Sequence, residues 1–349
     1  MEKFRFFLIT IALAFALAFN LGYAQKAFSA GPLILKYADP SKPGTARTQA
    51  AEDTMKEIER RTGGKVKHEF YWSQSLLKSK DILKGIKAGT CDLGDATAIL
   101  YHKARFPIWQ FIQNLFIGGT DQYAVTKACN ELYDTNPMLK KEFDKQGVQL
   151  LTVSALTPTL IFSKVPIREP KDFKGLRTRA VGAVAKWVAA MGGVPNPLKY
   201  YEIVEALSRG VLDATQTYVY ASHAYKHHEY CKYLPLNGIN HIFIEYWINP
   251  ATLKKMSPNV RKIYLATWRD FYLKRVVKYH DEKFNKAIAD FKKAGVEVYT
   301  LTPEQLAKWK AVAKPVNEAY FKKLDKMGID GRKLVAEYQA LYDKYERKK

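Results

Sequence analysis

Residues 173–220 read FKGLRTRAVGAVAKWVAAMGGVPNPLKYYEIVEALSRGVLDATQTYVY. A short basic strand over Leu176–Ala180 runs into a helix led by Gly182, and the Gly192-Gly193 pair ends that helix. After a proline-containing connection, a second helix runs from about Tyr201 to Arg209. Gly210 closes it, and a short strand opens with Asp213. A strand, two glycine-ended helices and a further strand are the pieces of an open α/β sheet. Such sheets collect ligands at the carboxyl ends of their strands. Arg179 stands at one such end and Thr217-Tyr218 at another. Period-two alternation puts Arg177 and Arg179 on one face, so spacing does not choose between them.

The flanking sequence extends the same pattern. Leu33–Ala38 reads as a strand, 39–44 as a turn-rich loop, Thr45 to about Arg61 as an amphipathic helix, and Val66–Tyr71 as a second strand. Asp81–Ala88 forms a helix closed by Gly89, and Cys91–Ala96 a strand. Phe106–Phe116 is an apolar run fit for a core. Two helices over 121–145 lead to a strand at Val148–Ser154. Asn240–Asn249 is a later strand, in which the register leaves open whether Glu245, Tyr246 or Trp247 faces a cleft. From Ser257-Pro258 a helical pattern continues to Gly295, a helix of about 55 Å at 1.5 Å per residue.

Composition narrows the class. The chain has 349 residues, 47% of them hydrophobic, enough for two lobes with real cores. Residues 1–24 carry Lys3 and Arg5, an apolar run and a small-residue end at Gly22-Tyr23-Ala24, which is the pattern of a cleaved secretory signal peptide that exports the mature protein, the alternative being an N-terminal membrane anchor. The net charge of +22 comes from dispersed lysines, not from a basic patch interleaved with aromatics, so nucleic acid is not the expected partner. A positive field of this kind draws anionic solutes. Cys91, Cys129 and Cys231 lack metal-ligand spacing and read as free thiols. His223 and His227 share a helix face near His228, but a metal needs at least three placed ligands, so neither metal nor cofactor is expected. Nucleophile elbow, zinc-binding His-Glu, phosphate-loop and dinucleotide motifs do not occur, which argues against an enzyme.

The ordered set KDFKGLRTR, a helix, GGVPNPL, YYEIVEALSRGVLDA and YKHHEYCKYL closely resembles the periplasmic substrate-binding proteins of tripartite ATP-independent (TRAP) transporters. The likeness runs from about Leu33 to the C-terminal helices. It implies a two-lobed α/β periplasmic binding protein with crossing strands and a long helix spanning both lobes. The lobes are expected at 31–155 plus 245–284 and at 156–244 plus 285–349. The family's carboxylate-binding arginine falls on Arg179, its glutamate on Glu202, and its asparagine on Thr217, with Tyr218 beside it and Tyr200 at an aromatic position. The family's ligand-touching first loop makes Asp39 and Ser41 candidates, and the loop after the second strand adds Trp72 and Ser75. Thr97, Tyr246 and Trp247 complete the expected site. The family's second arginine falls on Pro158, which weakens a two-arginine clamp for a diacid. The resemblance thus implies capture of a small organic anion with a sizeable, aromatic or apolar body by a monomer that delivers it to membrane permease subunits. A receptor that presents its ligand to a sensor protein, or less readily a secreted enzyme, stays open. So does the reading of Trp72, Tyr200 and Tyr218 as core filling.

Overall fold

The computed structural model describes residues 31–96 and 102–347, so the expected signal peptide and Thr97 lie outside the described residues. The strands are β1 (Leu33–Ala38), β2 (Val66–Tyr71), β3 (Leu93–Asp95), β4 (Gln149–Ala155), β5 (Leu160–Ser163), β6 (Arg177–Arg179), β7 (Val194–Asn196), β8 (Ala214–Thr217), β9 (Tyr233–Pro235), β10 (Phe243–Ile248) and β11 (Glu297–Tyr299). They form two mixed sheets, ordered β2-β1-β3-β10-β4 and β11-β9-β5-β8-β6-β7. Each sheet is the middle layer of a lobe, with hydrophobic cores against its helices.

Local chemistry sets the elements. Thr45 caps the helix Ala46–Arg61 through a reciprocal bond with Thr48, and Ala50, Met55 and Ile58 turn inward. Gly89 ends the helix Ile82–Ala88 in a left-handed conformation that favours glycine. β10 is buried along its whole length, as its apolar run requires. At Gly94 a side chain would meet the Ala38 carbonyl at 2.5 Å, so glycine is what lets β3 lie close to β1. The connection through Pro195, read as a loop from sequence, is the edge strand β7, an edge position where proline is tolerated.

The lobes are joined by two antiparallel connections. Leu156 donates to Ile242 at 2.7 Å, Thr159 to Asn240 at 2.7 Å, and Ile239 to Thr159 at 3.0 Å. Pro158 packs there against Gly238, where a side chain would meet its ring at 2.5 Å. The long helix also bridges the lobes. Tyr264, Trp268 and Tyr272 enter a first-lobe core, while Ala287 and Phe291 enter a second-lobe core. It is interrupted once, by a π turn at Thr267–Phe271, where the Thr267 hydroxyl donates to the Ile263 carbonyl at 2.7 Å.

One expected boundary changes. The resemblance puts residues 285–349 in the second lobe. The helix Pro303–Asp325 does pack there, with Trp309 against Trp187. The last helix, Gly331–Tyr345, instead returns to the first lobe and buries Leu334, Tyr338 and Tyr342 against the helix Gln122–Thr135. Cys91, Cys129 and Cys231 are separate, buried free thiols. No described helix is long and apolar enough to cross a membrane.

Candidate functional site

Each sheet has a point where the strand order reverses. In the second lobe β6 lies between β7 and β8 and runs parallel to both, so a crevice opens at the carboxyl ends of β6 and β8. Arg179 is the last residue of β6 and Thr217 the last of β8. The Arg179 Nε donates to the Leu198 carbonyl at 3.0 Å and Nη1 to the Gln216 carbonyl at 3.4 Å. Its guanidinium carbon lies 5.7 Å from the centre of the Tyr200 ring. It is half-buried and has no carboxylate partner among the described residues. Burial pulls its pKa below the ordinary arginine value, opposed only by Tyr200.

Arg177, two residues earlier, is exposed and bound to Asp213, with Nε–Oδ2 at 2.8 Å and Nη2–Oδ1 at 2.7 Å. Alternation does not separate the two arginines, but their partners differ: Arg177 is held by a carboxylate and Arg179 by backbone carbonyls. Around Arg179 the Tyr200 hydroxyl shares a hydrogen bond with Thr217 Oγ1 at 2.7 Å. The Tyr200 and Tyr218 rings stack at 6.3 Å and 27°.

In the first lobe β1 lies between β2 and β3 and runs parallel to both, giving a second switch point. Asp39 follows β1, Asp95 ends β3, and Trp72 follows β2. Arg47, at the start of the helix Ala46–Arg61, projects over these ends. It contacts Asp95 Oδ2 through Nη1 at 2.8 Å and both Asp39 oxygens at 3.2 Å, and its Nη2 also donates to Ser41 Oγ. The Tyr37 hydroxyl donates to Asp39 at 2.5 Å and the Ser41 amide at 2.7 Å. Burial alone would lower the Arg47 pKa, but Asp39 and Asp95 outweigh it and hold it well above the ordinary value.

This placement changes several expectations. Asp39 and Ser41 are committed to Arg47, so they support the first-lobe wall and do not present free groups to a ligand. Trp247 is fully buried against Phe106 and Phe143, and Tyr246 is fully buried between Tyr37, Trp268 and Tyr272. Both leave the set of wall residues, because the β10 register sends them into opposite cores of one lobe. Glu245 accepts from the Trp109 indole at 2.9 Å. Trp72 is half-buried, stacked on Phe70 at 5.6 Å and edge-on to Tyr37 at 5.2 Å. Ser75 is exposed in the same loop. Glu202 accepts from the Lys199 amide at 2.8 Å and so shapes the turn that carries Tyr200. His223 pairs with Asp290 at 2.9 Å, and no group of three metal-ligating side chains occurs among the described residues.

Arg47 was missed from sequence, although a signal existed. A cation in the first turn of a helix opposes the helix dipole and calls for nearby acid. The lobes meet on Tyr218 and Tyr220. Tyr218 packs against the first-lobe cluster that holds Tyr37 and Trp72, and Tyr220 stacks on His280 of the long helix at 5.2 Å and 17°. Arg179 thus stands in one lobe and the Arg47–Asp39–Asp95 group in the other, with the Tyr200, Tyr218 and Tyr220 rings at the contact between lobes.

Comparison with known proteins agrees with this architecture. A family model described as bacterial extracellular solute-binding protein, family 7, matches residues 37–324. The C4-dicarboxylate-binding periplasmic protein DctP of Rhodobacter capsulatus is 24% identical over 313 residues, covering 88% of this chain and 92% of that protein. The crystal structure of a TRAP periplasmic solute-binding protein from Desulfovibrio salexigens superposes with a TM-score of 0.82 at 26% identity, covering 90% of this chain and 97% of that one. A TRAP solute-binding protein from an unidentified marine microbe, described as specific for aromatic acids and solved with metahydroxyphenylacetate, gives a TM-score of 0.76 at 21% identity, over 90% of this chain and 100% of that one.

Proposed function

The chain belongs to the bacterial extracellular solute-binding proteins of family 7, and from that premise we propose that it captures a small organic acid with an aromatic or apolar body in the periplasm and delivers it to a TRAP-type permease. Its relatives are solute receptors, not enzymes. The observation that carries the reading is Arg179, a half-buried guanidinium at a switch point with no acid beside it among the described residues. A guanidinium offers a planar fork that matches a carboxylate with two parallel bonds. Tyr200, Tyr218 and Trp72 supply flat walls for an aromatic or apolar body, and Thr217 adds a hydroxyl. Removal of residues 1–24 on export and closure of the lobes around the ligand belong to the same proposal.

A thermal-shift screen of the purified chain tests it. The panel contains aromatic, keto, hydroxy and aliphatic monocarboxylates beside neutral and cationic solutes. A ligand at about 100 times its dissociation constant stabilises by about 2.7 kcal/mol, a shift of a few degrees. Stabilisation by acids alone is the expected result. Stabilisation confined to neutral or cationic solutes would remove the carboxylate role of Arg179.

A further inference from the structure

A cavity of about 410 Å³ lies where both lobes meet the helix Pro303–Asp325. That is within the size range of small-molecule sites. Arg179, Tyr200, Thr217 and Tyr218 do not line it. One wall is the first-lobe segment that carries Pro107, Gln110 and Gln113. The second is the start of the second-lobe helix Gly182–Ala190, through Ala183 and Lys186. The third is Val316, Tyr320 and Leu324 of the helix Pro303–Asp325. It is tied to the first wall by the Tyr320 hydroxyl, which lies 3.0 and 2.9 Å from the Pro107 and Ile108 carbonyls.

The charges of this lining have one sign. Lys103, Lys186 and Lys323 contribute three ammonium groups, and no carboxylate lines the cavity among the described residues. None of the three lysines is in an ion pair among the described residues. Glu318 and Asp325, on the same helix as Lys323, are engaged by Arg332. The Nε2 atoms of Gln110 and Gln113 are buried without a hydrogen-bond partner among the described residues, and unpaired buried donors are costly. The last torsion of a glutamine is broad, so either amide can turn to an acceptor in the cavity. The helix Gly182–Ala190 has no side-chain cap, which leaves the partial positive charge of its first turn uncompensated there. The rest of the lining is mostly apolar. We propose that this cavity is a second site, separate from the Arg179 crevice, that takes an amphipathic organic acid, its carboxylate among the lysines and glutamine amides and its apolar body against Pro107, Val316 and Leu324. The carboxylate role of Arg179 does not enter this proposal.

Calorimetry with octanoate and its neutral counterpart octanol tests it, in an Arg179→Ala background that removes the arginine of the main crevice. Octanoate is expected to bind in that background, and octanol more weakly by about tenfold or more. Ala319→Trp fills the cavity from an exposed helix position that lines it and should abolish octanoate binding. The double variant Lys103→Ala/Lys186→Ala, at two exposed positions, should weaken it by about tenfold with the urea midpoint unchanged. That variant decides the matter if Ala319→Trp does not fold. Loss of all octanoate binding with Arg179→Ala alone would place it in the main crevice and overturn the proposal. Octanol within about threefold of octanoate, or octanoate affinity unchanged in the folded cavity variants, overturns it as well. The Arg179 reading survives each of these failures, since its own screen does not depend on this cavity.

Discussion

Arg177 and Arg179 stand on one strand and one face, yet they do different work. Arg177 is exposed and paired with Asp213 at 2.7 Å, so its charge is already used. Among the described residues Arg179 is held by two backbone carbonyls and a ring face. Arg179→Ala is therefore expected to abolish acid binding, a loss of about 2 to 5 kcal/mol, while the urea midpoint stays close to wild type. Arg179→Lys restores part of the affinity, since an ammonium keeps the charge and loses the fork. Calorimetry on both variants decides it, and wild-type affinity in the alanine variant would take Arg179 out of the site. Arg47 behaves in the opposite way. Arg47→Ala strands Asp39 and Asp95 in a buried setting without their cation, so it should cost about 3 to 5 kcal/mol of fold stability by urea titration. A midpoint within error of wild type would show that the pair of acids does not need it. Arg179 was legible because it lies in a motif. Arg47 was not, because its partners come from positions 8 residues before it and from the far strand β3, and no local pattern joins them.

The regular elements were mostly legible, since helix caps and strand alternation are local. Thr45, Gly89, Ser257 and Gly295 mark ends that the structure keeps to within a residue or two. What local pattern could not supply is the address of an element. The helix Gly331–Tyr345 is amphipathic, and its apolar face fits either lobe from sequence alone. It reaches the first lobe because Gly331 lets it turn tightly against Leu324 and Phe321, where a side chain would meet carbons at 2.7 and 3.0 Å. Gly118, at a φ of +64°, then leaves room for the Tyr338 hydroxyl, which a side chain there would meet at 2.7 Å. Tyr338 is buried, edge-on to Phe111 at 5.6 Å. Tyr338→Ala should cost about 3 to 5 kcal/mol in urea, the range for emptying an aromatic site in a core. A loss below about 1 kcal/mol would mean that the last helix is an attachment and not part of the first-lobe core.

At the scale of the whole molecule, buried and half-buried histidines set the response to acid. Burial pushes His68 down to about 3, His227 to about 4 and His280 to about 3, all far below the ordinary value of about 6.5. In the unfolded chain these rings take up protons as the pH drops below about 6.5, while in the native protein they resist until about 3 to 4. Their contribution is thus fully present above about 6.5 and is lost progressively on acidification. One carboxyl works the other way. Burial raises Glu142 to about 7 despite bonds from the Ile108 and Trp109 amides, so its contribution is present below about 4.5 and is lost as pH rises through about 7. Burial also lowers His102, His228 and His241, so the histidines outweigh Glu142 between about pH 4.5 and 6.5. Urea midpoints at pH 7.5, 6.0 and 5.0 should therefore fall in that order. His68 lies outside the cleft, stacked on Tyr264 at 5.9 Å, so His68→Gln should flatten the fall without touching the ligand site. Stability that holds level or rises from pH 6.5 to 5 would mean that these rings accept protons in the folded state, and the lobes would then have to open locally to admit them.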